Sequence, residues 1–154
     1  MPDHHTRTQS SSSSWQGDDP LRILAIDIGA GTQDILIYES DRTPENCVKL
    51  VLPSQTQIVA RRIRDVTAAR RPLHLTGTLM GGGASSEAIR AHLAAGLPVT
   101  ASPAAARTIH NDLSRVIQLG IRLTESPPDG AATIELKDVD LDALARALQP
   151  FGIS

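Results

Sequence analysis

Three short apolar runs open the foldable part of the chain. Arg22 to Asp27 (RILAID) is rich in Ile and Leu and reads as a buried strand. Asp34 to Glu39 (DILIYE) is a second, close enough to the first to pair with it as a hairpin around a turn holding two glycines. Val48 to Leu52 (VKLVL) alternates and reads as a third strand, stopped by Pro53. The period then changes. Ile58, Val59, Ile63 and Val66 recur at helical spacing, and Ser54 with Gln57 has the form of a capping box, so a helix is predicted from about Thr56 to Arg70. Leu73 to Thr76 is a fourth strand, followed by the glycine-rich stretch Gly77 to Gly83. Ser85 or Ser86 suits the cap of a second helix that Gly96 and Pro98 end. Val99 to Ala101 is a fifth strand. Ser102 and Pro103 suit the cap and first position of a third helix, with Ile109, Leu113, Val116 and Ile117 as its apolar face and Gly120 at its end. Ile121 to Thr124 and Thr133 to Leu136 are weaker strands, and Asp140 caps a last short helix through Leu148.

Three strands in succession predict a meander, and the alternation that follows predicts parallel strands covered by helices. The fold class expected is therefore α/β with one mixed sheet of five or six strands.

Composition narrows the function classes. Hydrophobic residues are 40% and charged residues 21% of 154 positions, ordinary for a globular domain. Aromatic residues are only 2%, so the core must be aliphatic and the chain has no stacking platform for single-stranded nucleic acid. Residues 1–20 stand apart, with five consecutive serines and almost nothing to bury, and read as a disordered tail before a single lobe over residues 21–154. His4 and His5 lie in that tail without the placed partners a metal site needs. The tail carries Arg7 against Asp3, Asp18 and Asp19; the remainder has 14 basic and 14 acidic residues, which provides no field for a polyanion. With no apolar run of membrane-spanning length and no secretory leader, a cytoplasmic location is expected, with neither a membrane nor a nucleic acid as partner. Cys47 is the one cysteine, which excludes an intrachain disulfide and any cluster held by several cysteines of this sequence.

The candidate chemistry concentrates in Asp27-Ile28-Gly29-Ala30-Gly31-Thr32-Gln33-Asp34. A carboxylate at the end of a buried strand is costly unless paired, hydrogen-bonded or near a cation. Gly29 and Gly31 allow positive φ, and their N–H groups with the Thr32 hydroxyl could form a concave anion site. Asp27 beside such a cradle would suit Mg²⁺ and its waters. The alternative is an ordinary Asx-type hairpin turn with no ligand. Gly81, Gly82 and Gly83 form a second candidate, since free N–H groups where a helix opens favour an anion. They lack the lysine of a Walker loop, and three glycines serve equally well for close helix–sheet packing. Arg61, Arg62, Arg64, Arg70 and Arg71 read as a solvated helix face, and His74, His92 and His110 as packing or surface residues.

Asp27-x-Gly29-x-Gly31-Thr32-x-Asp34 between two apolar strands resembles a phosphate loop of the actin, heat-shock chaperone and sugar-kinase ATPase superfamily. The strand order resembles the ribonuclease H-like half of that fold. The resemblance implies ATP with Mg²⁺: Asp27 as the metal-water carboxylate, Asp34 as a further catalytic acid, and Gly29, Gly31, Thr32 and Gly81 to Gly83 as nucleotide contacts. The runs ILAIDIGAGTQDILIYE, KLVLPS, GTLMGGG, SPAAARTI and DLSRVIQLGI also resemble a family of uncharacterised prokaryotic proteins labelled pyruvate formate-lyase activating enzyme-like. A radical activase of that name needs three cluster cysteines, so this chain is not expected to act as one. Members of the family are about twice as long, which implies that this chain corresponds to their first half. A nucleotide-binding lobe completed by another chain or by a homodimer is thus the leading expectation. An inactive or scaffolding half is the second. A ribonuclease H-like nuclease is the third, weakened by the missing second acid and by the neutral charge.

Overall fold

The computed structural model describes residues 20–153. The expected disorder of the first twenty residues, and the reading of His4 and His5, lie outside these apart from Pro20.

β1 (Arg22–Ile28), β2 (Thr32–Glu39) and β3 (Val48–Pro53) form the predicted antiparallel meander. β1 and β2 pair with Ile28 opposite Gln33, Asp27 opposite Asp34 and Arg22 opposite Glu39. The strands alternate as their composition requires. One face carries Ile35 and Ile37, buried against Leu144 and Leu148 of α5 (Leu141–Leu148). The other carries Asp27, Asp34, Leu36, Lys49 and Val51 and has no helix over it among the described residues.

The second sheet is parallel, in the order β6 (Ile121–Leu123), β5 (Val99–Ala101), β4 (Leu73–Gly77), β7 (Ala132–Leu136). α1 (Gln55–Ala68) packs against β7 and against α2 (Gly83–Ala94), and α3 (Pro103–Ile109) packs on β4 and β5. Val59, Ile63, Leu73, Leu75, Val99, Val116 and Ile121 are almost wholly buried in the core between them. It is aliphatic throughout, as the scarcity of aromatics dictates.

The expectation of one mixed sheet is corrected here. β4 has both edges taken, by β5 through Leu73 to Leu75 and by β7 through Leu73 to Gly77, so neither is open to β1. The short run at residues 132–136 claims the position beside β4. β1 pairs with β2 alone, and Ile23, Leu24 and Ile28 stay exposed along it.

Two helix expectations also change. The predicted third helix is two: α3 ends at His110, whose backbone is extended at φ −159°, and α4 (Leu113–Gln118) restarts with the Asp112 carboxylate accepting from the Ser114 N–H. A local side-chain acceptor here outcompetes helix continuation. α2 begins at Gly83, earlier than the serines suggested, because the Ser85 hydroxyl turns back to donate to the Gly82 carbonyl. Among the described residues no helix is long and apolar enough to cross a membrane.

Candidate functional site

The first turn is short and tightly pinned. The Gly29 N–H donates to the Thr32 carbonyl at 2.8 Å, closing the hairpin on itself. Neither Gly29 nor Gly31 adopts positive φ, so the conformational freedom anticipated for them is not used. Gly31 has open space where a side chain would begin, whereas at Gly29 the Thr32 carbonyl lies 3.2 Å from that position. Ser54 anchors the turn from outside. Its N–H donates to the Gly31 carbonyl and its hydroxyl to the Ala30 carbonyl, both at 3.0 Å. Ser54 holds the N-cap position of α1, but its side chain makes no cap hydrogen bond. The capping box read from Ser54 and Gln57 is therefore not formed; the hydroxyl serves a contact 24 residues away.

The second glycine-rich loop is positioned by the parallel sheet. Gly77 is in register with Leu136 and adopts φ +72°, and a methyl group there would lie 2.2 Å from the Leu136 carbonyl oxygen. No side chain fits that approach. The loop then passes through Gly81 and Gly83, both at positive φ, into α2. The Gly82 N-cap offers no side chain, so the first-turn N–H groups of α2 have no side-chain cap.

These two segments, about fifty residues apart in sequence, meet. Ile28, Gly29 and Ala30 line one side of a cavity of about 370 Å³ and Met80 to Gly83 the other. Thr56 closes it from the first turn of α1, its methyl group 3.7 Å from where a Gly83 side chain would start. Asp138 completes the lining, and its carboxylate accepts from the Met80 N–H at 2.6 Å. The cavity sits beyond the C-terminal ends of β4 and β7, the end at which parallel sheets place their ligands.

Asp27 and Asp34 are together, but not in this cavity. They face one another across β1 and β2, and the closing bond of the turn makes theirs a hydrogen-bonded pair, with Cα atoms about 5.5 Å apart. Strand alternation sends Asp27 to the outer face and Ile28 to the inner one. Asp27 and Asp34 line a broad exposed hollow with Lys49, Leu36 and Val51. Two facing carboxylates repel unless a cation lies between them. Among the described residues no group of three or more histidine, cysteine, aspartate or glutamate side chains is arranged to hold a metal. Two carboxylates alone fall short of a closed protein metal site. Thr32 is exposed at the start of β2.

No pattern in the sequence marks Ser54, Thr56, Met80 or Asp138 as site residues. Asp138 follows a weak strand whose pairing with β4 no local pattern signals. Ser54 reads as a cap in the sequence, and its tie to Ala30 is visible only once the hairpin turns toward α1. The remaining candidates stay apart from the site. His74 and His92 are wholly buried, held through Nδ1 to the Thr100 and Thr67 hydroxyls at 2.8 Å. Burial lowers the pKa of both, opposed at His74 by Glu125 and at His92 by the Pro98 carbonyl. Arg61, Arg62 and Arg64 are exposed, as a solvated face requires. Cys47 is buried, its sulfur within hydrogen-bonding distance of the Thr43 and Glu39 backbone.

No curated protein and no solved structure matches the chain. The family model DUF1786, whose description proposes a pyruvate formate-lyase activating enzyme, matches residues 80–154, a segment that begins at the second glycine-rich loop and includes Gly81 to Gly83 and Asp138.

Proposed function

We propose that the chain is a nucleotide-binding lobe that takes phosphate groups, in the first instance those of ATP, in the cleft between the 28–31 turn and the 80–83 loop. The observation that carries this reading is the convergence of two glycine-rich turns, remote in sequence, on one cavity at the C-terminal end of a parallel sheet. Glycine lets backbone approach a ligand closely, and backbone N–H groups at an uncapped helix start favour an anion. Gly81, Gly82 and Gly83 would contact phosphate directly, with Gly29 and Ala30 lining the hairpin side and Gly31 and Thr32 next to them in the turn. The Gly29 N–H is already engaged by Thr32, so its role is to shape the turn.

Mg²⁺ would be held by Asp27 and Asp34, whose facing carboxylates fit a hydrated ion. That ion would lie on the outer face of the hairpin, beside the cleft and not within its lining, and would supply positive charge next to the turn. The chain's own residues orient the ligand: Ser54 fixes the turn, and Gly77 fixes the start of the second loop. Phosphoryl transfer is largely positioning and charge stabilisation, so such a lobe could contribute to Mg²⁺-dependent ATP hydrolysis. The actin-like, ribonuclease H-like assignment belongs to the same proposal; the three-strand meander carrying Asp27 at its first turn supports it, and the separation of that meander from the parallel sheet counts against it.

β1 favours a companion reading, that the lobe acts only with a second one supplied by another chain or by a second copy. An edge strand with Ile23, Leu24 and Ile28 exposed is what an absent neighbour would leave. The pyruvate formate-lyase activating label is not adopted as an activity, since the sequence holds only Cys47 to ligate a cluster.

The test is calorimetry of the full chain with ATP and ADP, with and without Mg²⁺, alongside its oligomeric state at the same concentration. Metal-dependent binding that Gly82→Val abolishes supports the cleft. Absence of binding at millimolar nucleotide by a correctly folded chain rejects it.

A further inference from the structure

The second glycine-rich loop already has an anion. The Met80 N–H is bonded at 2.6 Å to the Asp138 carboxylate, a short contact with an ionised acceptor. The parallel pairing of β4 and β7 explains this. Leu136 lies beside Gly77, and the Thr78 N–H donates to the Leu136 carbonyl, so the two chains leave the sheet side by side. Two residues beyond Leu136, Asp138 is brought against the loop. The neighbouring cation does not neutralise it: the Lys137 ammonium lies 3.3 Å from Glu135 and 3.1 Å from Asp140, bound to both. Among the described residues, the cavity lining holds no lysine or arginine.

From these observations we propose that Asp138 is an internal occupant of the anion seat in the glycine-rich cleft, which makes the cleft select metal-bound phosphate over bare polyanion. The inference rests on the phosphate-binding reading above and adds its specificity. A bare triphosphate entering the cleft meets one fixed carboxylate and no side-chain cation, and must displace Asp138 from the Met80 N–H. A metal-bound triphosphate brings its own positive charge and meets less repulsion, because charges at close range in a partly enclosed site interact strongly.

Asp138→Asn removes the charge and keeps a neutral acceptor for Met80; Asp138→Ala empties the seat. Met80 is 81% exposed, so water can satisfy its N–H and both variants should fold, which far-UV circular dichroism checks. The full-length chain and the two variants are titrated calorimetrically with ATP in excess EDTA and with ATP in excess Mg²⁺. The expected result is that metal-free ATP binds about tenfold tighter to Asp138→Asn, and at least as tightly to Asp138→Ala, with a much smaller change for Mg²⁺-ATP. If the native chain binds Mg²⁺-ATP and neither variant gains affinity for the metal-free form, this inference is overturned while the phosphate reading stands. If neither the native chain nor the folded variants bind ATP in either form, the cleft is not a phosphate site and both fall. Binding of metal-free ATP by the variants and not by a native chain that binds Mg²⁺-ATP would show the seat closed to the bare anion and would support both.

Discussion

The Ser54 hydroxyl donates to the Ala30 carbonyl at 3.0 Å, joining the tip of the first hairpin to the start of α1. Ser54 is wholly buried, and its N–H holds the next carbonyl, that of Gly31. A trans peptide points its N–H opposite to its C=O, so pinning the Ala30 carbonyl also fixes the direction of the Gly31 N–H. One small polar side chain thereby couples the meander to the helical layer and orders the turn proposed to meet a ligand.

Ser54→Ala should cost about 1–2 kcal/mol, since it removes a buried hydrogen bond and leaves the Ala30 carbonyl without its hydroxyl partner. Urea unfolding measures this. Nucleotide affinity should fall as well, because the turn would lose one of the bonds that orient it, keeping only the Gly31 contact to Ser54 and its own Gly29–Thr32 closure. A stable variant with unchanged ATP affinity would show that turn rigidity is irrelevant to binding.

Gly31 and Gly77 should respond in opposite ways to alanine. At Gly31 a methyl group enters open space at an ordinary φ, so Gly31→Ala should change stability by less than about 0.5 kcal/mol. Any loss of ATP affinity in that variant reports ligand contact and not unfolding. At Gly77 the methyl group would lie 2.2 Å from the Leu136 oxygen, at φ +72°. Gly77→Ala should cost upwards of about 2 kcal/mol, combining left-handed backbone strain with a forced shift of β7. Equal denaturation midpoints for the two variants would contradict this geometry.

Acid should weaken the fold before most carboxylates titrate. Each of the Thr100 and Thr67 hydroxyls gives its proton to a backbone carbonyl, of Leu73 and Ile63 respectively, so the Nδ1–H of His74 and of His92 is the donor in each pair. Charging His74 would put a proton on Nε2, which is buried without an acceptor. Both folded-state pKa values are lowered, chiefly by burial. The unfolded chain therefore binds more protons once the pH drops below about 6.5, and stability present at pH 7.5 is lost progressively toward pH 5. Urea midpoints across that range, with imidazole resonances followed by NMR, should show His74 and His92 resisting protonation until the chain unfolds. Titration of either ring near its ordinary value in the folded state would refute the assignment.

What could be read in advance follows the range of the interactions. All seven strands were legible because period-two alternation and short aliphatic runs are local signals, and so was the Asp140 cap, which accepts from the Ala143 N–H three residues on. The division into two sheets was not legible, because it turns on whether β1 or the weak run at 132–136 takes the edge of β4. That is a contest between segments far apart in the chain. The same limit hid Asp138, brought to the glycine loop only by β4–β7 pairing. It also hid the second role of Ser54, which stands at the N-cap of α1 but gives its hydroxyl to a long-range acceptor. Gly81 to Gly83 were recognisable as a glycine-rich helix start, but their meeting with Ile28 to Ala30 in one cavity belongs to the tertiary fold.

Asp27 and Asp34 provide the sharpest division between a structural pair and a functional one. Facing carboxylates on an exposed pair of strands destabilise each other by a few tenths to about 1 kcal/mol. If the fold alone is considered, Asp27→Asn and Asp34→Asn should each leave stability unchanged or slightly raised in metal-free buffer, as read by urea unfolding. If the pair holds Mg²⁺ for a bound nucleotide, each substitution should instead remove the gain in ATP affinity that Mg²⁺ provides and leave metal-free binding as it was. The double variant should do no more than either single one, because the two residues would serve one ion and their effects would not add. Additive losses would mean separate roles for the two carboxylates. Loss of fold on neutralising either would mean that the charge is a structural requirement of the hairpin, and would return this turn to the Asx-type reading.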